Sequence, residues 1–574
     1  MLLGDTDLVC PKVGFQHILG SDARMTAKFC SSRTFCLCLF LGFIALLVLR
    51  VFDTPIWRDD AFFAIVAKNI LHGNGYSITY YNEFSPFNRG ISSGPVIILS
   101  AVLMIALFGN QYWVPGITQV TLVAVLLVFL LYLIRRLTTL LHWQVQCFFI
   151  LFAATFTLHD IGFPNEPLLA WHALLGDIPS GLLIIAAFLY IARGRTDITH
   201  YWWSGILAGL AGLCKLYSLL GAGVLGGFLV LQMLFDAQQP LKRRISFIIV
   251  FGLGVITPLA LFELSQIILL GGILPYLKNK LAFIDLAQSQ LHHSTLSIIF
   301  VLLVLKFWDF EEFVGPIIRP FHYIQDSTLI TSGLIMAVLY ITALLIALWK
   351  LYRERRSIAT LPPVQWAAAT LSYAALAHLT WLLFIHPHEM PRYALPGILY
   401  GCMGLSLGAA NYLQNKGTQD RIRLGIRLLV VLFILRFEAM AYFILYTPSP
   451  HPLIEESLAA KRQLEAFLAH HPDGRIFSCV NIYEIEYLLP EDGNVILCDQ
   501  MQDARWSKTP KILLTYYSDS DYVHRMANEH RYDASWVDAS GEFSRRIIPD
   551  SVRTLCPRND LFSGTQYFIA SCLP

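Results

Sequence analysis

Two adjacent carboxylates, Asp59 and Asp60, open the stretch RDDAFFAIVAKNILHGNGY at residues 58–76, directly after an apolar run. Ionisable side chains at a membrane edge are costly unless they pair with other charges or serve a site. A carboxylate in this position can accept the proton of an attacking hydroxyl, which is the work of a general base. The structural alternative is that Asp59 caps a helix over 60–72, which the GNG turn then ends.

Further candidate residues come from four other stretches that contain acids, bases or hydroxyls at membrane depth. The stretches are NRGISSGP, HDIGFPNEPLLAWHALLGDIPS, GLAGLCKLYS and HPHEMPRYALP, and the candidates are Arg89, Glu166, Asp177, Lys215, His388, Arg392 and Tyr393. A Lys or Arg in a low-dielectric pocket strongly stabilises a phosphate that develops negative charge. Four separate regions that deliver charges to one place are more informative than any one residue.

Four of these candidates also have a structural explanation. Asp177 can cap a helix, Lys215 can extend along apolar surface to the membrane interface, and Arg392 with Tyr393 can anchor an interface. A divalent metal would have Asp177 and Glu166 as candidate ligands. Glu166 lacks the spacing of a metal motif, and neither CxxC nor HExxH occurs in the sequence.

Transmembrane helices are the elements that must position these residues. The chain of 574 residues is 56% hydrophobic and 14% charged, with a mean hydropathy of +0.56. This composition predicts a polytopic α-helical membrane protein, because about 20 apolar residues cross a bilayer. Its net charge of +2 and lack of a basic tract give no indication of nucleic-acid binding. We predict about eleven spans, at 35–52, 116–134, 144–160, 170–192, 201–214, 217–234, 245–270, 329–349, 364–385, 394–412 and 426–446.

The distribution of Lys and Arg predicts the orientation, since cytoplasmic loops near spans retain positive charge. With the N-terminus inside and the C-terminus outside, the cytoplasmic side receives the clusters at 135–136, 193–195, 242–244, 353–356 and 421–427. Residues 1–34 are then a cytoplasmic segment, and 35–446 form the transmembrane domain. The candidate residues all lie at the external face.

Two apolar segments are too short for a span, and both fall in long external loops at 53–115 and 271–328. We expect the first, GPVIILSAVLMIALFG at 94–109, to be a helix that lies along the outer leaflet. Such loops favour a cavity roofed at the outer membrane face over a simple helical bundle. Residues 447–574 alternate short β-like runs with polar helical patterns, which predicts a small external α/β domain.

In combination, these motifs resemble the GT-C superfamily of glycosyltransferases. RDDAFFAIVAKNILHGNGY followed by RGISSGP is similar to its first external loop, ILAGLAGLCKLYSLLG to its glycine-rich helix that ends in Lys, and HEMPRYALPGILY to its Arg-Tyr-x-x-Pro element. Among its members, the protein O-mannosyltransferase and lipid A aminoarabinose transferase group is the most similar by pattern. The resemblance covers roughly 35–412. Asp-Asp stands where Asp-Glu is commoner, and RGISSGP stands where Lys-Pro-Pro is common.

The resemblance implies a polyprenyl-phosphate sugar donor in the membrane, a glycan, lipid or protein acceptor, and inversion at the anomeric carbon. Asp59 is then the base, and Asp60 orients it or adjusts its basicity. Asp177 holds the acceptor or a divalent metal. The donor phosphate is bound by Arg89, Lys215, Arg392 and Tyr393, with His388 nearby.

Two other functions fit part of the pattern. A flippase or transporter of lipid-linked sugars would also be polytopic, but it would be expected to carry inverted repeats, or broken helices with charges at the midplane, whereas here the charges gather at one face. An inactive sugar-binding relative would be expected to lose the acids, which are present here. We expect a bacterial inner membrane, with the C-terminal domain in the periplasm, because no retrieval signal is present.

Overall fold

The computed structural model of this chain is mainly helical in the part that it describes. That part comprises residues 33–56, 58–80, 83–87, 94–138, 142–156, 168–235, 240–278, 280–281, 361–385, 394–414, 420–446, 451–478, 483–489, 495–497, 511–516, 533–534, 547–548, 560–563 and 567–572.

The helices follow the predicted apolar runs closely. The first ten are α1 (Arg33–Asp53), α2 (Arg58–Leu71), α3 (Pro95–Phe108), α4 (Val114–Leu137), α5 (His142–Phe156), α6 (Leu169–His172), α7 (Asp177–Arg193), α8 (Ile198–Cys214), α9 (Leu219–Phe235) and α10 (Leu241–Leu269). The others are α11 (Pro363–Ile385), α12 (Leu395–Gln414), α13 (Asp420–Tyr446), α14 (His451–His470) and α15 (Tyr483–Leu488). Helices therefore cover ten of the predicted spans, and the span at 329–349 lies outside the described residues.

Three helices in the described part of the chain, α1, α4 and α10, are long and apolar enough to cross a membrane. On α10, Leu253, Ile256 and Leu264 are each more than half exposed, as expected for side chains that face lipid. The described part of the chain is thus mainly helical, and several of its helices are able to span a membrane. The total number of spans and their orientation remain predictions.

The span predicted at 170–192 is wrong in its first part, because the chain forms two helices there. The short α6 ends at His172, and α7 begins only at Asp177. Gly176 lies between them with φ of 81°, a left-handed conformation that interrupts helical geometry. The break places Asp177 at the start of a helix instead of inside one.

Helix α7 forms the centre of the bundle. Its residues 177–189 are all buried, and α4, α8, α11 and α12 pack around it. A helix that is apolar on every side is buried either in a protein core or in a membrane, and here other helices surround it. The N-terminal end of α7 is therefore held firmly, and it carries Asp177.

Helices α8 and α10 cross closely through small residues. A Cβ atom on Gly205 would lie 2.3 Å from the Phe251 carbonyl oxygen, and one on Gly254 would lie 2.5 Å from the Trp202 carbonyl oxygen. Small residues at such crossings allow helices in membranes to pack backbone against backbone. This contact fixes α8, whose C-terminal end leads into Lys215.

The predicted short helix at 94–109 is confirmed as α3, which has 14 residues. It begins at Pro95 and ends before Gly109, whose φ is 73°. It packs against α2, α4 and α8. Its position along the outer leaflet remains a prediction. Between α2 and α3, strands β1 (Ser77–Tyr80) and β2 (Glu83–Pro86) form an antiparallel pair.

The tail contains a mixed five-stranded sheet. The three β-like runs predicted there form β3 (Arg475–Ser478), β4 (Val495–Leu497) and β5 (Lys511–Tyr516), with β3 parallel to both of the others. Strands β6 (Asp533–Ala534) and β7 (Ile547–Ile548) form a separate pair. The sheet order is β4-β3-β5-β9-β8, where β8 is Asp560–Ser563 and β9 is Tyr567–Cys572.

The tail contacts the helix that carries the acid pair. Lys68 of α2 is buried, and its Nζ donates hydrogen bonds to the carbonyl oxygens of Glu486 at 3.1 Å and Leu489 at 2.7 Å. The rings of Phe62 and Tyr483 meet edge to face, with centroids 5.1 Å apart. These contacts hold helix α15 of the tail against helix α2.

Candidate functional site

The carboxylate of Asp177 lies inside the bundle and is bonded to neighbouring side chains. Gly176 is the N-cap residue of α7, and no side chain caps this helix. The Tyr217 hydroxyl donates a hydrogen bond to Asp177 Oδ1, while Lys215 Nζ lies 3.6 Å from Asp177 Oδ2. Helix capping therefore does not account for Asp177.

Lys215 is as fully buried as its partner. Its side chain is 1% exposed and that of Asp177 is 0% exposed. The ammonium also donates a hydrogen bond to the carbonyl oxygen of Leu175 at 2.8 Å. Lys215 therefore points into the protein and does not extend to the membrane interface. A buried ion pair gives little net stability, because desolvation offsets its attraction, and this makes a role in a site the stronger explanation.

Asp60, on helix α2, contacts the same loop between α6 and α7 that Lys215 contacts. It is buried, and its Oδ1 accepts a hydrogen bond from the Leu174 backbone N–H at 2.8 Å. Residues 173–176 are consequently held on two sides, by Asp60 at the Leu174 amide and by Lys215 at the Leu175 carbonyl. The two charged side chains bind the connection that presents Asp177.

Asp59 lies beside this arrangement with a partly exposed side chain. Helix α2 begins at Arg58, so Asp59 and Asp60 both belong to its first turn. The structural alternative that Asp59 caps a helix over 60–72 does not fit, because the observed helix runs from Arg58 to Leu71 and Asp59 lies inside its first turn. Carboxylates in a first turn are still favourable, because they face the positive end of the helix dipole.

Two glycines bring further stretches to this place. The N–H of Gly94 donates to the Cys214 carbonyl oxygen at 3.1 Å. A Cβ atom on Gly94 would lie 2.0 Å from the Leu213 carbonyl oxygen, and one on Gly176 would lie 2.8 Å from that of Cys214. The end of α8 is therefore enclosed between the turn before α3 and the turn before α7. RDDAFF, LLGD, LCK and the start of α3 at Gly94 and Pro95 meet at one site.

The other predicted site residues lie outside the described residues, and their roles remain predictions: Arg89, Glu166, His388, Arg392 and Tyr393. Within the described ranges, no three His, Cys, Asp or Glu residues come together to hold a metal ion. Among the described residues, the side chains that face the Asp177 carboxylate are an ammonium and a phenol, which do not fit a divalent cation.

The sequence analysis missed two residues next to the pair. Tyr217 follows Lys215 by two residues, in a 3-10 turn at Leu216–Ser218, and its ring centroid is 5.9 Å from that of His378. His378 is fully buried in the middle of α11. The hydroxyl of Tyr217 in the CKLYS motif was a usable signal. An isolated histidine in an apolar helix offers none, because its partners come from other helices.

Comparisons with known proteins establish the class of the fold. No protein-family model matches this sequence, and no curated protein matches it significantly. The structure is similar to the crystal structure of ArnT from Cupriavidus metallidurans in the apo state, with a TM-score of 0.52 and 12% identity, covering 94% of this chain and 98% of that chain. The crystal structure of ArnT from Cupriavidus metallidurans bound to undecaprenyl phosphate has the same identity and coverage, with a TM-score of 0.48.

A third solved structure, the Archaeoglobus fulgidus oligosaccharyltransferase in complex with Zn and sulfate, has a TM-score of 0.46 and 12% identity. The match covers 88% of this chain and 72% of that chain. The likeness to apo ArnT shows that this chain shares the fold of that structure, which agrees with the fold that the resemblance to GT-C glycosyltransferases implied.

Proposed function

We propose that this protein is an integral-membrane glycosyltransferase that moves a sugar from a polyprenyl-phosphate donor to an acceptor at the external face of the membrane. The observation that carries the proposal is the convergence of Asp60, Asp177 and Lys215 at the N-terminal end of α7. These residues come from three distant parts of the chain. Two carboxylates and an ammonium in one buried place suit a reaction that moves a proton and releases an anion.

The chemistry is a single displacement with inversion. The acceptor hydroxyl oxygen attacks C1 of the sugar, the bond from C1 to the phosphate oxygen breaks, and the lipid phosphate leaves with the electron pair. The hydroxyl proton passes to a carboxylate, which is general base catalysis. A cation beside the departing phosphate lowers the barrier, since charge develops there in the transition state.

The residues divide this work by position. Asp59 is the base, because it is the partly exposed acid of the pair, while Asp60 is occupied by the Leu174 amide. Asp177 binds the acceptor or the sugar. Lys215 binds the donor phosphate together with Arg89, Arg392 and Tyr393, and His388 lies nearby. The Lys215 ammonium has three N–H donors, and one of them bonds the Leu175 carbonyl in this structure.

The same proposal places the parts of the chain relative to the membrane. Residues 1–34 are cytoplasmic, 35–446 form the transmembrane domain with long external loops at 53–115 and 271–328, and 447–574 form the external α/β domain. A bacterial inner membrane with a periplasmic tail fits this arrangement. The acceptor is a glycan, a lipid or a protein on that side.

The test is sugar transfer by the purified protein in liposomes. The donors are undecaprenyl- and dolichyl-phosphate monosaccharides with a radiolabelled sugar, and the acceptors are supplied as a membrane extract. The expected result is transfer of label together with formation of the free lipid monophosphate. Asp59→Asn should abolish most of both, because an amide does not accept the proton.

The alternatives give different results in the same assay. A flippase would move the labelled donor across the bilayer while leaving its C1 to phosphate bond intact. An inactive relative would bind the donor without forming lipid monophosphate. Either outcome with folded wild-type protein, across all donors, would overturn the proposal.

A further inference from the structure

The two oxygens of Asp177 have different surroundings. Oδ1 accepts the hydrogen bond from the Tyr217 hydroxyl. Oδ2 lies 3.6 Å from Lys215 Nζ and accepts no hydrogen bond from the residues that the structure describes. The side chain is fully buried, so an oxygen left without a hydrogen bond is costly. A group on a bound ligand that donates a hydrogen bond would remove this cost.

The ring of Tyr217 packs near side chains of helices α11 and α12. Its ring centroid is 5.9 Å from that of His378, at an interplanar angle of 57°. His378 in turn meets Tyr400 edge to face, also at 5.9 Å. Gly397 allows this packing, because a Cβ atom there would lie 2.9 Å from His378 Cδ2. Helices α11 and α12 thus hold the ring whose hydroxyl reaches Asp177.

We propose that Tyr217 is a positioning residue, which fixes the Asp177 carboxylate so that Oδ2 alone accepts a hydroxyl of the sugar or of the acceptor. This inference rests on the proposed function and extends it to a residue that the motifs did not single out. A free carboxylate rotates about its terminal bond, whereas one with Oδ1 bound and Oδ2 beside an ammonium has a single orientation. Precise orientation of such groups governs the rate of the chemical step more than the binding of the substrate.

The chain offers a matched control. Tyr217→Phe and Tyr400→Phe remove the same hydroxyl from the same type of ring. The Tyr400 hydroxyl is buried and has no hydrogen-bond partner among the described residues, so removing it loses no hydrogen bond there. Removing the Tyr217 hydroxyl loses the bond to a charged group, and such bonds are stronger than neutral ones.

The experiment measures donor turnover and melting temperature for wild type, Asp177→Asn and both Phe variants, using the liposome assay with the best donor. Tyr217→Phe should lower kcat about 10- to 100-fold, with the KM for the donor within about twofold of wild type. It should also lower the melting temperature. Tyr400→Phe should match wild type in kcat and melt at the same or a higher temperature.

The failures are distinguishable. If wild type turns over no donor, the proposed function fails and this inference fails with it. If wild type is active and Asp177→Asn is impaired, but Tyr217→Phe retains wild-type kcat, only the positioning role is overturned. If Tyr217→Phe lowers kcat by no more than Tyr400→Phe does, the effect is one of general packing, and the inference is again overturned.

Discussion

At the scale of single residues, the acid pair at 59–60 separates into two environments. Asp60 is buried and bonded to a backbone amide, and Asp59 is partly exposed beside it. A buried carboxylate that accepts a backbone N–H is held in place and is poorly placed to take a proton from a substrate. This contrast is the structural reason to assign the base to Asp59.

The first prediction concerns this pair. Asp59→Asn should lower the rate of transfer by about 10²–10⁴-fold, because it removes the base and keeps the shape of the side chain. The melting temperature and the binding of donor lipid should stay close to wild type. Asp60→Asn retains an oxygen that can accept the Leu174 amide, so its loss of transfer should be smaller. A larger loss at Asp60 than at Asp59 would mean that the base is the other neighbour.

A second prediction concerns the cation. Lys215→Met keeps the length and apolar stem of the side chain but removes the ammonium that faces Asp177. We expect donor turnover to fall by at least about 10²-fold, since Lys215 binds the departing phosphate in our proposal. The matched control is Lys461→Met, which changes a partly exposed lysine paired with Glu465 at 3.6 Å. Wild-type turnover in Lys215→Met would contradict the assignment.

Much of this site was predictable from sequence, and the missing parts have clear causes. The stretches around Asp60, Asp177 and Lys215 could be placed together because charges at membrane depth need partners. The pairing of Asp60 with a backbone amide could not be predicted, because it depends on the break between α6 and α7. His378 was missed because its apolar helix gives no sign of which neighbours it meets.

At the scale of elements, the turn before α7 depends on a residue without a side chain. Gly176 has φ of 81°, and a Cβ atom there would lie 2.8 Å from the Cys214 carbonyl oxygen. Gly176→Ala should therefore destabilise the protein by at least about 1–2 kcal/mol, the cost of a left-handed residue with a side chain. Gly223→Ala in α9 is the control, since a Cβ there meets nothing within 4 Å. Equal melting temperatures for the two variants would refute this explanation of the turn.

The contact between α2 and α15 gives another prediction at this scale. Lys68→Met leaves two buried carbonyl oxygens without their donor, which costs about 1–3 kcal/mol. We expect faster cleavage of the tail under limited proteolysis, because α15 is no longer fastened to α2. The surface variant Lys461→Met should be cleaved at the wild-type rate. A tail equally resistant in both variants would show that Lys68 does not hold it.

At the scale of the whole molecule, the orientation in the membrane rests on the basic clusters. Helix α4 has 24 residues, and at 1.5 Å per residue it is about 36 Å long, enough to cross the bilayer core. Its two ends should lie on opposite sides. The apolar runs predicted the helices well, but run length alone could not show that 170–192 is interrupted, because the interruption depends on the conformation of one glycine.

Labelling of introduced cysteines checks the orientation. Gln111→Cys, an exposed position just before α4, should react with an impermeant thiol reagent added outside, above the wild-type background. Thr138→Cys, at the other end of α4, should react only after the membrane is opened. The reverse pattern would place Asp59 and Asp177 at the cytoplasmic face and would contradict the proposed topology.

The central claim is that a lipid-linked sugar reacts at the N-terminal end of α7. An experimental structure of the protein with a bound polyprenyl-phosphate monosaccharide tests it most directly. We expect the phosphate to lie within about 4 Å of Lys215 Nζ, at the distance of a salt bridge, with the sugar between Asp59 and Asp177. A donor bound in full occupancy elsewhere, with its phosphate and sugar touching none of these three side chains, would contradict the claim.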